Sequence, residues 1–467
     1  MNNTSLIRSD TPVYRVALDV YRVAPPLECP FMRLPPSVRW FVLASLASGS
    51  SPALAHAGLP ETSNVTVRRG HPEDIFVGAT FGAVVSRDSG KTWRWICPEA
   101  MTYGGWRPES FLWQADGTLL AVSGASLIRS SDGGCTWQSH PFFTSRSLWP
   151  SGLESLPSMP SRLWVTTARA FSPNGLFRSD DGGETFTATS LQSTTAAYTA
   201  VKVAPSDPKR VYVSASTPEG PTLFRSDDEG STWTVIPQPL PEYAGTSQAF
   251  DLFVLRVAEN DPDHFWARVT GEQNFTYLLE SKDGGHTFQS ILHPPNQTRD
   301  GIDEYLVGIE VSADGHTVWA ATPSRFFRTR DGAAATLLPL PDGNACVERQ
   351  GDTLLVCGST WVHDWALART RDEGNTYEPL FSLPHIQPPE CPAGTPNQNI
   401  CRPRWPQFAP SIGADATLPP DGSQVDAGTP ETPPKKSGCS SAEGLVPTAC
   451  LLALNTFRRS RRRNPKP

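Results

Sequence analysis

The chain has 467 residues, of which 19% are charged, 38% hydrophobic and 9% aromatic, a balance that excludes a disordered polymer. A formal net charge of −7 excludes a basic nucleic-acid surface, apart from a short Arg run at the extreme C-terminus. Pro (46), Gly (36) and Trp (14) are abundant and period-3.6 patterns are scarce, so short strands between turns are expected rather than helices.

Residues 1–31 carry no recognisable element. From Met32 the text changes: a short basic stretch ending at Arg39, an apolar run from Trp40 to Ala47, then Ala53-Leu54-Ala55-His56-Ala57 with small residues before a cleavage point. That order is a secretory signal peptide. Translation is therefore expected from Met32 and a mature N-terminus near Gly58, which makes 1–31 an upstream extension and 32–57 the signal.

Export agrees with the cysteines. Six lie between the signal and the tail: Cys97, Cys135, Cys346, Cys357, Cys391 and Cys401. They allow fifteen pairings, so connectivity stays open; neighbouring pairs (97 with 135, 346 with 357, 391 with 401) are the simplest arrangement in an oxidising compartment. No CxxC spacing or His cluster accompanies them, so no metal is expected.

An eight-residue pattern, Ser/Thr-x-Asp-x-Gly-x-Thr-aromatic, then recurs along the chain. Its Asp residues are Asp88, Asp132, Asp181, Asp228, Asp283, Asp331 and Asp372; the Asp331 copy is decayed, with Ala333 to Ala335 in place of Gly-x-Thr. The spacing of about 40–50 residues is that of a propeller blade. Each repeat has an apolar run, a turn and a second apolar run before the motif, a third run after it, and one more before an Asp-Pro or Asp-Gly turn. Four antiparallel strands per repeat follow. The motif itself is a turn: the Asp side chain accepts from backbone N–H groups just ahead, Gly supplies positive φ, and the aromatic packs into the blade. The fold read from residues 58–384 is all-β, a single seven-bladed β-propeller of four-stranded antiparallel blades with this turn between the third and fourth strands.

The motif resembles the Asp-box, or BNR, repeat family, which includes sialidases, xyloglucanases, sortilin-type receptor ectodomains and a photosystem assembly factor. The resemblance covers roughly residues 64–384. It implies that the boxes sit at the blade periphery and are structural, so their Asp residues are not nominated as a functional site.

Beyond the last blade, residues 385–408 are Pro-rich and hold Cys391 and Cys401, as a disulfide-pinned loop on the propeller edge. Residues 409–436 read as a flexible Pro/Gly/Asp spacer. Residues 437–467 place Gly438-Cys439 before an apolar stretch, 445–457, and an Arg cluster. This order resembles the MYXO-CTERM sorting tail of myxobacterial exported proteins, which implies processing at Cys439 and membrane anchoring through the tail. The apolar stretch is shorter than the ~20 residues of a full span, and Pro447 and Asn455 interrupt it.

Catalysis is the weaker expectation. Sialidase chemistry needs an Arg triad, a Tyr–Glu pair and an Asp acid, and an Arg-Ile-Pro-type motif is missing from the mature chain; xyloglucanases use two propellers, and this length holds one. G-x-S-x-G, P-loop and HExxH motifs are absent from the sequence. No cofactor is expected.

A ligand is expected on the face formed by fourth-to-first and second-to-third strand connections, where aromatics stand beside charges: Tyr103, Trp106, Arg107, Arg146, Trp149, Tyr243, Tyr305, Trp361, His363 and Trp365. Such residues suit a sugar or peptide; Trp106, Trp149 and Trp365 equally suit a channel plug or blade packing. Asp300, Asp303 and Glu304 are the carboxylates to test for glycosidase activity. The function read here is an exported surface propeller that binds an extracellular protein or polysaccharide without catalysis, with no nucleic-acid partner. A degenerate glycoside hydrolase and an envelope assembly or adhesin scaffold are the alternatives.

Overall fold

A computed structural model describes residues 60–416, except 103–107, 109, 237–248, 272–275, 294–304, 324 and 341–345. By contacts the chain divides into residues 1–416 and 417–467. The signal segment, most of the spacer and the tail with Cys439 lie outside the described residues.

Seven separate four-stranded antiparallel sheets follow one another, each built from four consecutive strands. Blades one to seven span residues 62–96, 110–139, 150–193, 197–236, 249–292, 308–337 and 346–381. This is the seven-bladed propeller the repeats predict. Second strands such as Leu163–Thr167 are buried along their whole length, because both faces of a blade are covered by neighbours. The core is therefore divided among the seams. Trp164 and Leu176 of blade three pack with Tyr198, Val201 and Val213 of blade four, and Phe76 of blade one with Trp113 and Trp137 of blade two.

The motif turns lie between third and fourth strands. In the first, Gly90 N–H donates to Ser86 Oγ (2.9 Å), and the N–H groups of Lys91 and Thr92 donate to Asp88 Oδ1 (3.0 and 2.9 Å). The Thr92 hydroxyl donates to Asp88 Oδ2 (2.8 Å), and Trp93 Nε1 to the Gly90 carbonyl (2.9 Å). The fourth and fifth positions are both left-handed, as at Glu229 (φ 56°) and Gly230 (φ 79°). A side chain at the fifth position would be strained, which is why Gly stands there. The decayed copy confirms the rule. Ala occupies the fifth position, so the left-handed pair slips back to Asp331 (φ 50°) and Gly332 (φ 72°). Asp331 then closes no turn and meets His316 Nδ1 at 2.5 Å.

The turns also join blades. Arg178, just before the blade-three motif, donates to the carbonyl of Glu229 in the blade-four motif (3.3 Å); Arg328 of blade six does the same to Glu373 of blade seven (3.3 Å). In blade five this position is Glu280, which faces the decayed motif of blade six and instead meets His264 Nε2 at 2.8 Å.

Ring closure uses no strand exchange. Thr62 Oγ1 donates to the Ala366 carbonyl (3.2 Å), and Trp93 packs on Phe381 (centroids 4.3 Å apart). The segment after blade seven completes the closure. It bridges the outer strand of blade one at Arg94 and Gln387, stacks Phe408 on Trp95 at 4.2 Å, and buries Trp405 and Ile412.

That segment decides the disulfides. The bonds are Cys97–Cys401, Cys135–Cys391 and Cys346–Cys357. Only the last is a neighbouring pair. The other two expected pairs are corrected, because the extension runs back over blades one and two and brings Cys391 and Cys401 to them. The expected boundary at 408 is also too early: a short helix Ala409–Ile412 follows, and Trp405 Nε1 donates to the Asp415 carbonyl (3.1 Å). Three disulfides fit an oxidising compartment. Among the described residues no helix is long and apolar enough to cross a membrane.

Candidate functional site

By topology, second-to-third hairpins and fourth-to-first connections share one face. On it, several large apolar side chains stand in solvent: Phe171 fully, Tyr305 at 49%, Trp361 at 47% and Val362 at 54% exposure. Phe171 also holds a left-handed φ of 56°, an unfavourable conformation for a residue with a side chain. Sequence reasoning missed Phe171; the signal was a bulky residue in the polar hairpin before Ser172-Pro173.

The remaining expected face residues divide. Trp361 is exposed, with its Nε1 donating to the Pro60 carbonyl (3.3 Å). Trp149 is half-buried beneath the Arg169 guanidinium, 4.9 Å from its ring centroid. Arg146 is spent locally, lying over the Phe142 ring (4.1 Å) and donating to the Phe142 carbonyl (3.2 Å). His363 accepts from the Ser359 N–H at Nδ1 (2.9 Å) and stacks on Trp365 (4.7 Å). Trp365 takes the blade-packing alternative and is corrected as a face residue: it is buried, packs in the seam of blades six and seven, and stacks on Tyr377 at 5.9 Å. Tyr103, Trp106, Arg107, Tyr243, Asp300, Asp303 and Glu304 lie outside the described residues.

A second feature was not anticipated. The inner strands of all seven blades line a central channel of about 740 Å³. Cross-strand pairing sets one register around it: Thr66, Leu112, Glu154, Lys202, Arg256, Glu310 and Glu348 face Phe76, Leu120, Trp164, Tyr212, Trp266, Trp319 and Leu355 of the second strands. Five of these seven inner positions are ionisable. Lys202 pairs with Glu154 at 2.6 Å. Arg256 pairs with Glu310 and lies 3.6 Å from Glu348. Burial in the channel, and then Glu310 beside it, raise the Glu348 carboxyl above the ordinary carboxylate range, with Arg256 offsetting part of the rise. Glu310 and Glu348 in turn raise the Arg256 guanidinium.

Arg69 sits at the turn leaving the inner strand of blade one. It reaches past blade two and donates to Ser155 Oγ (3.1 Å) and to the Ser155 carbonyl. A cavity of about 280 Å³ continues from these charges onto the first-to-second strand turns at Pro157, Pro205 and Glu259. Burial lowers the Arg69 guanidinium, and Glu154 and Glu348 offset part of this at longer range. The channel charges therefore lie toward the face opposite Phe171 and Trp361. Their sequence signal was a charge inside an otherwise apolar inner-strand run, as in Val201-Lys202-Val203, Leu255-Arg256-Val257 and Ile309-Glu310-Val311. Among the described residues no cluster of three or more His, Cys, Asp or Glu side chains is arranged to hold a metal.

No family model and no curated protein matches the chain. Among solved structures it is similar to YCF48 from Cyanidioschyzon merolae, at 15% identity over 68% of this chain and 98% of that one, with a TM-score of 0.47. It is also similar to YCF48 bound to D1 peptide, at 13% identity over 65% of this chain and 91% of that one, TM-score 0.45. The ancestral GH74 enzyme AFV00434 is 13% identical over 60% of this chain and 39% of that one, TM-score 0.42. These likenesses carry no argument about function.

Proposed function

We propose that this chain is an exported, cell-surface Asp-box propeller that binds a protein or glycan partner without turning it over. One observation carries the reading: Phe171, Tyr305, Trp361 and Val362 are exposed on the same face. Exposed aromatics on one face suit the anchors of an interface. Phe171 strengthens the case, since its strained backbone serves no packing within the chain. The signal segment at 32–57 and the Cys439 tail supply the route to the surface.

The test is a glycan array and a panel of extracellular proteins probed with the purified full chain, then with Phe171→Ala and Trp361→Ala. Binding that falls at least tenfold in both variants, with unchanged thermal stability, supports the reading. Binding indifferent to both substitutions refutes it.

A glycoside hydrolase is the second reading, and one observation favours it. Glu310 and Glu348 stand on adjacent inner strands, and the Glu348 pKa is raised, as a general acid needs. Against it, Arg256 pairs with both, so neither is free to act as a base. A chromogenic-glycoside screen with Glu310→Gln, Glu348→Gln, Asp300→Asn, Asp303→Asn and Glu304→Gln decides between the readings. Turnover abolished by one of these variants establishes the enzyme.

A further inference from the structure

We propose that the central channel holds a binding site for a single carboxylate group, with Arg69 as its anchor. This site is separate from the aromatic face and does not rest on that reading.

The argument begins with pairing. Apart from Arg68 and Arg349, which are paired with Asp74 and Glu259, three cations line the channel, Arg69, Lys202 and Arg256, with three carboxyl groups, Glu154, Glu310 and Glu348. Lys202 takes Glu154, and Arg256 takes Glu310 with Glu348 beside it. Arg69 is left over. Its described hydrogen bonds go to the hydroxyl and carbonyl of one residue, Ser155, and among the described residues it forms no ion pair. A guanidinium has five N–H donors in a planar fork, so Arg69 retains donors beyond those spent on Ser155. Taking a cation partly out of water without a counterion is costly, and that cost is recovered when an anion is supplied.

Charge selects the size of that anion. With burial holding Glu348 toward its protonated form, the three cations outnumber the two carboxyl groups already paired, Glu154 and Glu310, by one. A monoanion neutralises that excess; a dianion would overshoot. The planar fork of Arg69 matches a planar carboxylate, and a protonated Glu348 can donate a further hydrogen bond. The cavity at this end, about 280 Å³, lined by Arg69, Glu154, Lys202, Arg256, Glu310 and Glu348, is sized for one small group.

Ionisation of Glu348 removes both the excess charge and the donor. The groups facing it are Glu310 from blade six, Arg256 from blade five, Lys202 from blade four, Glu154 from blade three, Arg69 from blade one and its own neighbour Arg349, which is engaged with Glu259. Burial raises the Glu348 pKa and Glu310 adds to the rise, so carboxylate affinity falls as pH rises through that value.

The experiment titrates the full chain with N-acetylalanine and with galacturonate, followed by ligand-observed NMR and by thermal shift. The two arms distinguish a peptide-borne from a sugar-borne carboxylate, and the methyl ester of each serves as the uncharged control. Binding of at least one acid, with its ester at least tenfold weaker, is expected. Arg69→Gln should weaken it at least tenfold, and Arg69→Lys less. Glu348→Gln, which stays neutral, should keep the affinity and flatten its pH dependence. Binding that survives in folded Arg69→Gln overturns the proposal, as does acid and ester binding alike or an absence of binding by both acids. If Arg69→Gln does not fold, the pH profiles of the parent and Glu348→Gln decide: equal slopes overturn it.

Discussion

The two long disulfides should be strongly non-additive, and their separations give the size of the effect. Cys97–Cys401 and Cys135–Cys391 span 304 and 256 residues. They are nested: with one in place, the other closes only the stretches 97–135 and 391–401, about 48 residues by the loop-closure count. Chain entropy then assigns about 4 kcal/mol to removing either bond alone and about 10 kcal/mol to removing both, more than the roughly 8 kcal/mol of two independent losses. Cys346–Cys357, which spans 11 residues between paired strands, is worth about 3 kcal/mol by the same relation. Chemical denaturation of Cys97→Ser/Cys401→Ser, Cys135→Ser/Cys391→Ser and the fourfold variant measures all the terms. The fourfold loss should exceed the sum of the pairs. Losses that add without excess would mean that the extension stays docked by Trp405, Phe408 and Ile412 alone, and would refute ring closure by the staples.

Two further predictions concern the motif turns. Asp372 is pulled down to about 2, first by the Thr376 hydroxyl and then by the Thr376 N–H, and Asp181 is lowered likewise by Thr185. A folded pKa below the unfolded value of about 3.9 gives stability that is complete above that value and lost as pH falls toward the folded one. Melting temperatures of Asp372→Asn and the parent should therefore differ at pH 6 and converge toward pH 2; a constant difference would refute the assignment. Second, Ala333→Gly with Ala335→Thr should rebuild the decayed motif, adding about 1 kcal/mol for each net hydrogen bond regained. Asp331 now raises the His316 pKa, so that pKa, followed by NMR, should drop toward its ordinary value as Asp331 turns inward. A His316 pKa that stays raised in a stabilised variant would count against the shift of register.

The repeats made the fold legible because each motif is self-contained. Ser86, Asp88, Gly90, Thr92 and Trp93 bond within eight residues, so the sequence displays the whole device. Failure of the sixth copy was equally readable, since Ala at a left-handed position has a local cost. The disulfides were not legible. Their partners depend on where a chain of over 250 residues brings its end, and proximity in sequence says nothing about that. For Trp365 the sequence left two readings open, ligand face or blade packing, and only the fold shows it turning under the hairpin into the seam beside Tyr377. The channel charges lay open in the sequence, at least one on each inner strand from blade three to blade seven. Their meaning required the register that superimposes Glu154, Lys202, Arg256, Glu310 and Glu348.

The same register explains how a propeller can carry two unlike surfaces at no cost to its stability. Antiparallel strands put the third-to-fourth turns and the first-to-second turns at one end, and the second-to-third hairpins at the other. The motif turns with their Arg178 and Arg328 clasps therefore gather at the end where the channel charges lie, and both networks are polar and tied to blade geometry. At the opposite end nothing in the motifs constrains the hairpins. Phe171 can hold a strained φ there, and Trp361 can stand in solvent, because the energy that keeps the blades together is placed elsewhere. Seven separate seams have the same effect on the core: a substitution in the blade-three hairpin perturbs at most its two neighbouring seams. Hairpin sequence is thus free to vary while the ring beneath it stays fixed.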